Sequence, residues 1–322
     1  MKASILLSLL MALGTTGTAQ SVNAAIELYG YGKFQRAAEI LTDLSRQNAK
    51  DPNLHIWLGK TCLKLRRWDE AIREFGKAVE LDPKNGLPHL WLGRAYGNKA
   101  AHAFAFFAAG PARRTRQEFE AAAQLSPNDV DVRFDLLEFY AQAPGFIGGG
   151  QDKADAQAKE IAKLSPRLGY TARADIYGNQ KDWVHARSEL MEAVSKFPKD
   201  AGAYVDLAGF LLERGDFENA EVNARKALAL DGSNREAQML LAASRVSLRR
   251  NLADAVKVLQ GLAAGPLTDS DPAFETVYYW LGQGYLAQGN KPEAREAFTA
   301  SLGFDPEYSR SKDALARIKP CP

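Results

Sequence analysis

The sequence predicts an all-α chain built as a solenoid of tandem helix-turn-helix units. Three observations carry that expectation. His55-Ile56-Trp57-Leu58-Gly59 returns 34 residues later as His89-Leu90-Trp91-Leu92-Gly93, and Trp280-Leu281-Gly282 repeats the core of the motif near the end. Self-similarity at that period marks stacked helical repeats. Small residues alternate in fixed register with bulky ones, as Gly59, Cys62, Trp68, Ala71, Phe75 and Ala78, and Pro83 closes the unit. Composition agrees, since 322 residues with 46% apolar and 25% charged content can bury a substantial core and do not describe a disordered chain.

The first element is an expected export signal over residues 1–19. Met1-Lys2, the apolar run Ile5 to Leu13 and the small polar residues Gly14 to Ala19 have its charge, core and cleavage region. Cleavage is expected after Ala19. Val22-Asn23-Ala24 offers a second site but would remove part of the first helix. The run falls well short of the roughly 20 residues that span a bilayer, and nothing later approaches that length without charges. The mature chain is therefore expected in the periplasm or outside the cell, with no integral membrane segment; a retained N-terminal anchor is the weaker alternative.

Residues 20–308 hold the repeats. Further copies of the pattern run through Gly93, Tyr96, Phe119, Ala122 and Pro127; Tyr140, Ala154, Ile161 and Pro166; Ala174, Tyr177, Trp183, Ala186 and Pro198; Ala208, Leu211, Phe217, Ala220 and Ala224; and Gly282, Tyr285, Ala294, Phe298 and Pro306. Copies beginning at Ala25 and Ala242 are degenerate. Small residues such as Gly59 and Ala71 are expected where the two helices of a hairpin cross closely. Proline ends a helix because it lacks the amide and restrains its predecessor. One hairpin cannot bury its apolar face, whereas a stack can. Residues 309–322 are expected to form a polar capping helix, with Arg310, Lys312, Asp313, Arg317 and Lys319, and a fraying tail.

From Ser21 to Pro306 this spacing resembles the tetratricopeptide repeat, whose eighth, twentieth and twenty-seventh positions are small. The resemblance implies a right-handed superhelix of about eight repeats and a terminal half-unit. It also implies that the first helix of each repeat lines a concave groove that receives a protein or peptide. The family's carboxylate clamp does not transfer, because Ile56, Lys60, Leu87 and Trp91 stand where its lysines and asparagines would be.

Several function classes are excluded. With 41 Lys+Arg against 39 Asp+Glu, a net +2 gives no reason to expect a nucleic-acid partner. Cys62 and Cys321 lie too far apart for a zinc motif, and a buried single thiol at Cys62 is preferred to a bridge. His55, His89, His102 and His185 never fall four apart, and His55 and His89 read as partly buried core residues rather than a ligand pair. Gly59-Lys60-Thr61 mimics the end of a phosphate loop, but Leu54 stands where its glycine is required; Gly145 to Gly150 lacks the Lys and Ser/Thr and reads as a flexible turn. No catalytic residue, cofactor or metal is expected.

Candidate groove residues form an uneven surface. Trp57, Lys60, Lys64, Trp91, Arg94 and Asn98 give a basic and aromatic strip; Asp131, Asp135, Glu138, Asp175 and Asp206 give an acidic one; Tyr279 and Trp280 return aromatics in the last unit. A partner segment would set its acidic part or carboxylate against Lys60, Lys64 and Arg94, with the tryptophans as anchors. The alternative is that the tryptophans pack along neighbouring first helices and the charges are solvated.

Two insertions, at 97–114 and 141–150, lengthen adjacent units in the turn between their helices. They carry Phe104, Phe106 and Phe107, then Phe146 and Ile147, with Arg113, Arg114 and Arg116 following the first. They are expected to meet. Mutual packing is favoured over an exposed docking patch, since large bare apolar areas are uncommon on soluble proteins. The expected function is a non-catalytic adaptor holding a protein or peptide; the alternatives are a carrier of a small apolar ligand under the insertions, or an accessory subunit of an envelope enzyme or transporter.

Overall fold

The computed structural model describes residues 21–318, without the side chains of residues 105 and 106. The expected signal segment, Cys321 and the side chain of Phe106 lie outside the described residues. Every regular element among the described residues is helical, so the fold class is the all-α helical-repeat solenoid that the sequence predicts.

Two compact units divide the chain, the first ending at Gln157 and the second starting at Ala158. The first holds α1 (21–30), α2 (Phe34–Gln47), α3 (Pro52–Lys64), α4 (Trp68–Leu81), α5 (Gly86–Ala101), α6 (Ala105–Leu125), α7 (Val130–Gln142), a 3-10 turn (Gly145–Ile147) and the start of α8 (Gln151–Leu164). The second continues α8 and adds α9 (Pro166–Asn179), α10 (Trp183–Lys196), α11 (Ala201–Glu213), α12 (Phe217–Leu230), α13 (Arg235–Ser247), α14 (Leu252–Ala264), α15 (Phe274–Ala287), α16 (Lys291–Phe304) and α17 (Ser309–Arg317). In the first unit α3 pairs with α4 and α5 with α6; in the second α9 pairs with α10, α11 with α12, α13 with α14 and α15 with α16, and α17 packs on α16.

Local chemistry sets the boundaries. Four first helices begin at an Asp or Asn acceptor two residues before the amide it caps: Asp51 accepts from the Asn53 amide, Asn85 from Leu87, Asp129 from Asp131 and Asp200 from Gly202. Where no insertion intervenes, the turn inside a hairpin takes one residue with positive φ. Gly215 (φ 79°) and Gly289 (φ 87°) supply it without strain, whereas Lys181 (φ 61°) and Arg249 (φ 54°) hold the same bend with a side chain.

The core is built from reciprocal sizes. A Cβ on Gly59 would lie 2.6 Å from the Phe75 ring, on Gly93 2.4 Å from Phe119, and on Gly282 2.6 Å from Phe298. The small residue is thus required by an aromatic ring sixteen residues on (59 to 75, 282 to 298), or twenty-six where the insertion intervenes (93 to 119), and not by Ala71. At the same register stand Ala25 with Leu41 and Ala174 with Leu190, all buried. In these pairs a small residue meets a larger one, as close packing demands, whereas Ala208 and Ala224 at the same register are both small.

Two sequence expectations concern buried polar residues. His55 is buried, and its Nδ1 donates to Glu74 at 2.8 Å; His89 repeats the contact with Glu118 at 2.7 Å. Both histidines therefore tie a first helix to its own second helix. Cys62 is buried, and burial followed by the nearby Glu70 carboxylate pushes its thiol up to about 12, so it acts as a small apolar residue.

Candidate functional site

In the first unit, α3 lies against α5, and residues one repeat apart on these first helices form a ladder. Lys60 is 9% exposed, with its Nζ 4.1 Å from the Trp57 ring centroid, 4.7 Å from Trp91 and 5.7 Å from Tyr29. Arg94, one repeat later, lies 4.6 Å from the Trp91 ring. Its Nε donates to Asp135 Oδ2 at 2.5 Å and its Nη2 to Oδ1 at 3.2 Å. Thus the cation of one repeat docks on an indole or carboxylate of the next repeat. Burial raises the Asp135 carboxyl above its ordinary range, the Arg94 bonds and charge oppose this, and Glu138 and Asp131 add to the rise.

These contacts revise the picture of an open basic strip facing an acidic one. Lys60 is enclosed by rings and Arg94 is held by Asp135; of the three named cations Lys64 is the exposed one. Trp57, Trp91 and Asn98 are half-buried, Asn98 donating to the Arg94 carbonyl at 2.9 Å. Glu138 is exposed and accepts from Gln142 at 3.1 Å. The packing alternative accounts for Trp91, which also stacks on the buried Phe75 ring at 6.1 Å.

A cleft of about 650 Å³ opens where α5, α6 and α7 meet the second insertion. Its apolar walls come from Gly97, Ala100 and Ala101 on α5, Ala112 and Phe119 on α6, Phe139 on α7, and Ala143, Pro144 and Ile147 beyond it. Arg94, Asn98, Asp135, Glu138 and Gln142 form the polar part of its lining. Gly97 leaves room for a side chain, since a Cβ there would meet Thr115 at an ordinary 3.6 Å.

The insertions divide between the two readings the sequence left open. The first lengthens α5 and α6; the second folds back so that Ile147 is buried, and Arg116 presses against Gly148, where no Cβ would fit. Tyr140 bridges to Glu120 at 2.9 Å. Phe104, Phe107 and Phe146, however, are 86%, 67% and 75% exposed. Packing claims one side of the insertions and leaves three rings outside.

In the second unit, Asp175 is exposed on α9. Trp280 is buried at 8%, so it packs rather than presents itself, and Tyr279 meets it edge-on while also contacting Phe298 and Tyr308. Sequence reasoning placed Asp206 on the acidic strip but missed its partners: Asp206 accepts from Arg167 and from the Thr171 hydroxyl, both at 2.6 Å, and Arg167 also pairs with Asp200. Burial raises the Asp206 carboxyl, with Thr171 and Arg167 opposing and Asp200 reinforcing the rise.

Family models described as tetratricopeptide repeat match residues 28–86 and 249–309. The chain thus carries tetratricopeptide repeats in both of its units. Among solved structures, yeast Tom70 aligns at 17% identity over 89% of this chain with a TM-score of 0.58, and the chain spans 58% of the yeast protein aligned. A thermophilic tetratricopeptide repeat protein of Thermus thermophilus aligns at 22% identity over 61% of this chain and 99% of its own, with a TM-score of 0.49. One from Parabacteroides merdae aligns at 13% identity over 94% and 98%, with a TM-score of 0.47. Repeats of this kind support a protein-interaction scaffold role.

Within the tetratricopeptide register, Trp57, Trp91 and Trp280 share the sixth position with Asp135 and Asp206, while Lys60 and Arg94 share the ninth. That shared register was the signal available in the sequence for the ladder, since a cation at the ninth position of one repeat reaches the sixth of the next.

Proposed function

We propose that this protein is a non-catalytic adaptor that holds a segment of a partner protein along the first helices of its first unit. An apolar side chain of that segment occupies the cleft between α5, α6 and α7. The cleft is the observation that carries the reading: its volume lies in the range of ligand sites, and its walls join apolar side chains to a few polar groups. With Lys60 and Arg94 engaged inside the protein, partner charge is read by the exposed Lys64 and by the exposed Asp131 and Glu138. The composition of residues 1–19 supports action in an exported compartment.

A second reading is favoured by the same cleft, which suits a small apolar molecule carried under the insertions. Native mass spectrometry of the purified chain separates the two. A retained polypeptide supports the adaptor and a retained small mass supports the carrier. Gly97→Leu, which fills the cleft without altering charge, should remove whichever is bound; retention unchanged by that substitution would reject the cleft as the site.

A further inference from the structure

The geometry points to a second, separate contact surface: the outer edge of the two insertions meets an anionic bilayer, with Phe104, Phe107 and Phe146 entering the headgroup region and Arg113 and Arg114 facing lipid phosphates. This surface does not depend on the cleft or its occupant. Three observations support it. The three rings project at 86%, 67% and 75% exposure on insertions whose inner sides, through Ile147 and Arg116, pack together. Exposed apolar area of this kind marks a contact surface on a folded protein.

Charge selects the partner. From Lys99 to Gln117 the chain has no Asp or Glu but carries Lys99, Arg113, Arg114 and Arg116, and residues 141–150 carry no charged side chain. Lys99 pairs with Asp69 and Arg116 with Glu120, while Arg113 and Arg114 are exposed and Arg114 bonds only the neutral Gln117 among the contacts described. Carboxylates bordering the edge are taken up internally, Glu118 by His89 and Glu120 by Tyr140; Asp152, exposed at the start of α8, subtracts one charge. Phe107 and Arg114 lie seven residues apart and so share a helix face. Aromatic side chains beside arginines on a helix suit the interface of an anionic membrane.

Shape favours lipid over a folded partner. Protein contacts concentrate energy in side chains seated in well-packed pockets. Phe104 and Phe146 instead stand almost fully clear of the surface, and the concave feature nearby is the cleft. No helix of the described residues is long and apolar enough to cross a membrane, so the contact is one of lying on the surface.

The test is flotation of the full chain with phosphatidylglycerol-containing vesicles and with pure phosphatidylcholine vesicles. Binding to the anionic vesicles should weaken as salt is added. Phe104→Ser with Phe146→Ser should lower the partition coefficient at least tenfold, with the thermal transition unchanged. Arg113→Gln with Arg114→Gln should lower it roughly fivefold per arginine on anionic vesicles alone. The N-terminal apolar run is common to all these chains, so a direct readout is added: bimane attached at Phe146→Cys in a Cys321→Ser background. Its emission should shift to the blue on anionic vesicles. A label that stays in water while the chain floats, or flotation indifferent to the phenylalanine pair, would overturn the proposal. So would the absence of anionic binding, or a self-association or protein contact that disappears with the same phenylalanines while lipid binding is missing.

Discussion

Gly59→Ala adds a single methyl group, and the structure says where it goes. The new Cβ would lie 2.6 Å from Cε1 and 2.8 Å from Cδ1 and Cζ of Phe75. Carbon contacts are most favourable at about 3.5–4.0 Å, so the ring would have to retreat by nearly an ångström. It has nowhere to go, because Phe75 is fully buried and stacks on Trp91. Overpacking of this kind costs about 1–3 kcal/mol, against a helix-propensity gain of about 1 kcal/mol for replacing glycine. The expected net effect is a loss of up to about 2 kcal/mol, read as a lower urea midpoint by circular dichroism. Gly76 lies on α4 with nothing within 4 Å of its would-be Cβ, so Gly76→Ala should stabilise instead. The double variant Gly59→Ala with Phe75→Leu recreates the pairing that Ala25 with Leu41 and Ala174 with Leu190 already use. It should recover about 1 kcal/mol relative to the sum of the single effects. Additive effects, or Gly59→Ala behaving like Gly76→Ala, would refute the reciprocal-size account.

Other outcomes follow from the same contacts. Lys181→Gly should raise stability by about 0.5–1 kcal/mol in urea unfolding, because a side chain at φ 61° carries strain that glycine lacks. Arg94→Leu should destabilise by about 1–2 kcal/mol by leaving the Asp135 carboxylate without its partner, and adding Asp135→Asn should restore much of the loss. Burial, aided by the Asp271 carboxylate, pushes Glu236 up to about 7 from the usual 4.5. The folded chain then keeps a proton that the unfolded chain has lost, so stability falls as pH rises between 4.5 and 7 and the penalty is complete above that window. Glu236→Gln should remove this slope, matching the natural chain at low pH and exceeding it by up to about 3 kcal/mol at alkaline pH in parallel urea titrations.

The repeat architecture was legible because its cause is local. Trp-Leu-Gly recurring after 34 residues and prolines closing each unit describe one hairpin and its next neighbour, and solenoid contacts reach no further. The role of Gly59 was read in outline, but its reason lies in the Phe75 ring rather than Ala71, a distinction that needs the rotation of α4 about its axis. The candidate surface was less legible. Arg94 and Asp135 are 41 residues apart, and the first insertion hides that they occupy consecutive repeats at touching positions. Lys60 counted as an available cation because composition cannot show three rings closing over it. Trp280 shares the register of Trp57 and Trp91, yet its indole is buried, since the neighbours of a side chain rather than its position decide what it presents. The insertions contain Phe104 and Ile147 in similar company, and backbone folding alone sends one outward and the other into the core.

The most direct measurement of the adaptor reading is a peptide selection on the full chain, followed by affinities for the Gly97→Leu, Lys64→Glu and unsubstituted proteins. Selected peptides should share an apolar residue, lose at least tenfold in affinity when Gly97→Leu fills the cleft, and respond to Lys64→Glu according to their own charge. Peptides that bind all three proteins equally, or none selected above background, would contradict it.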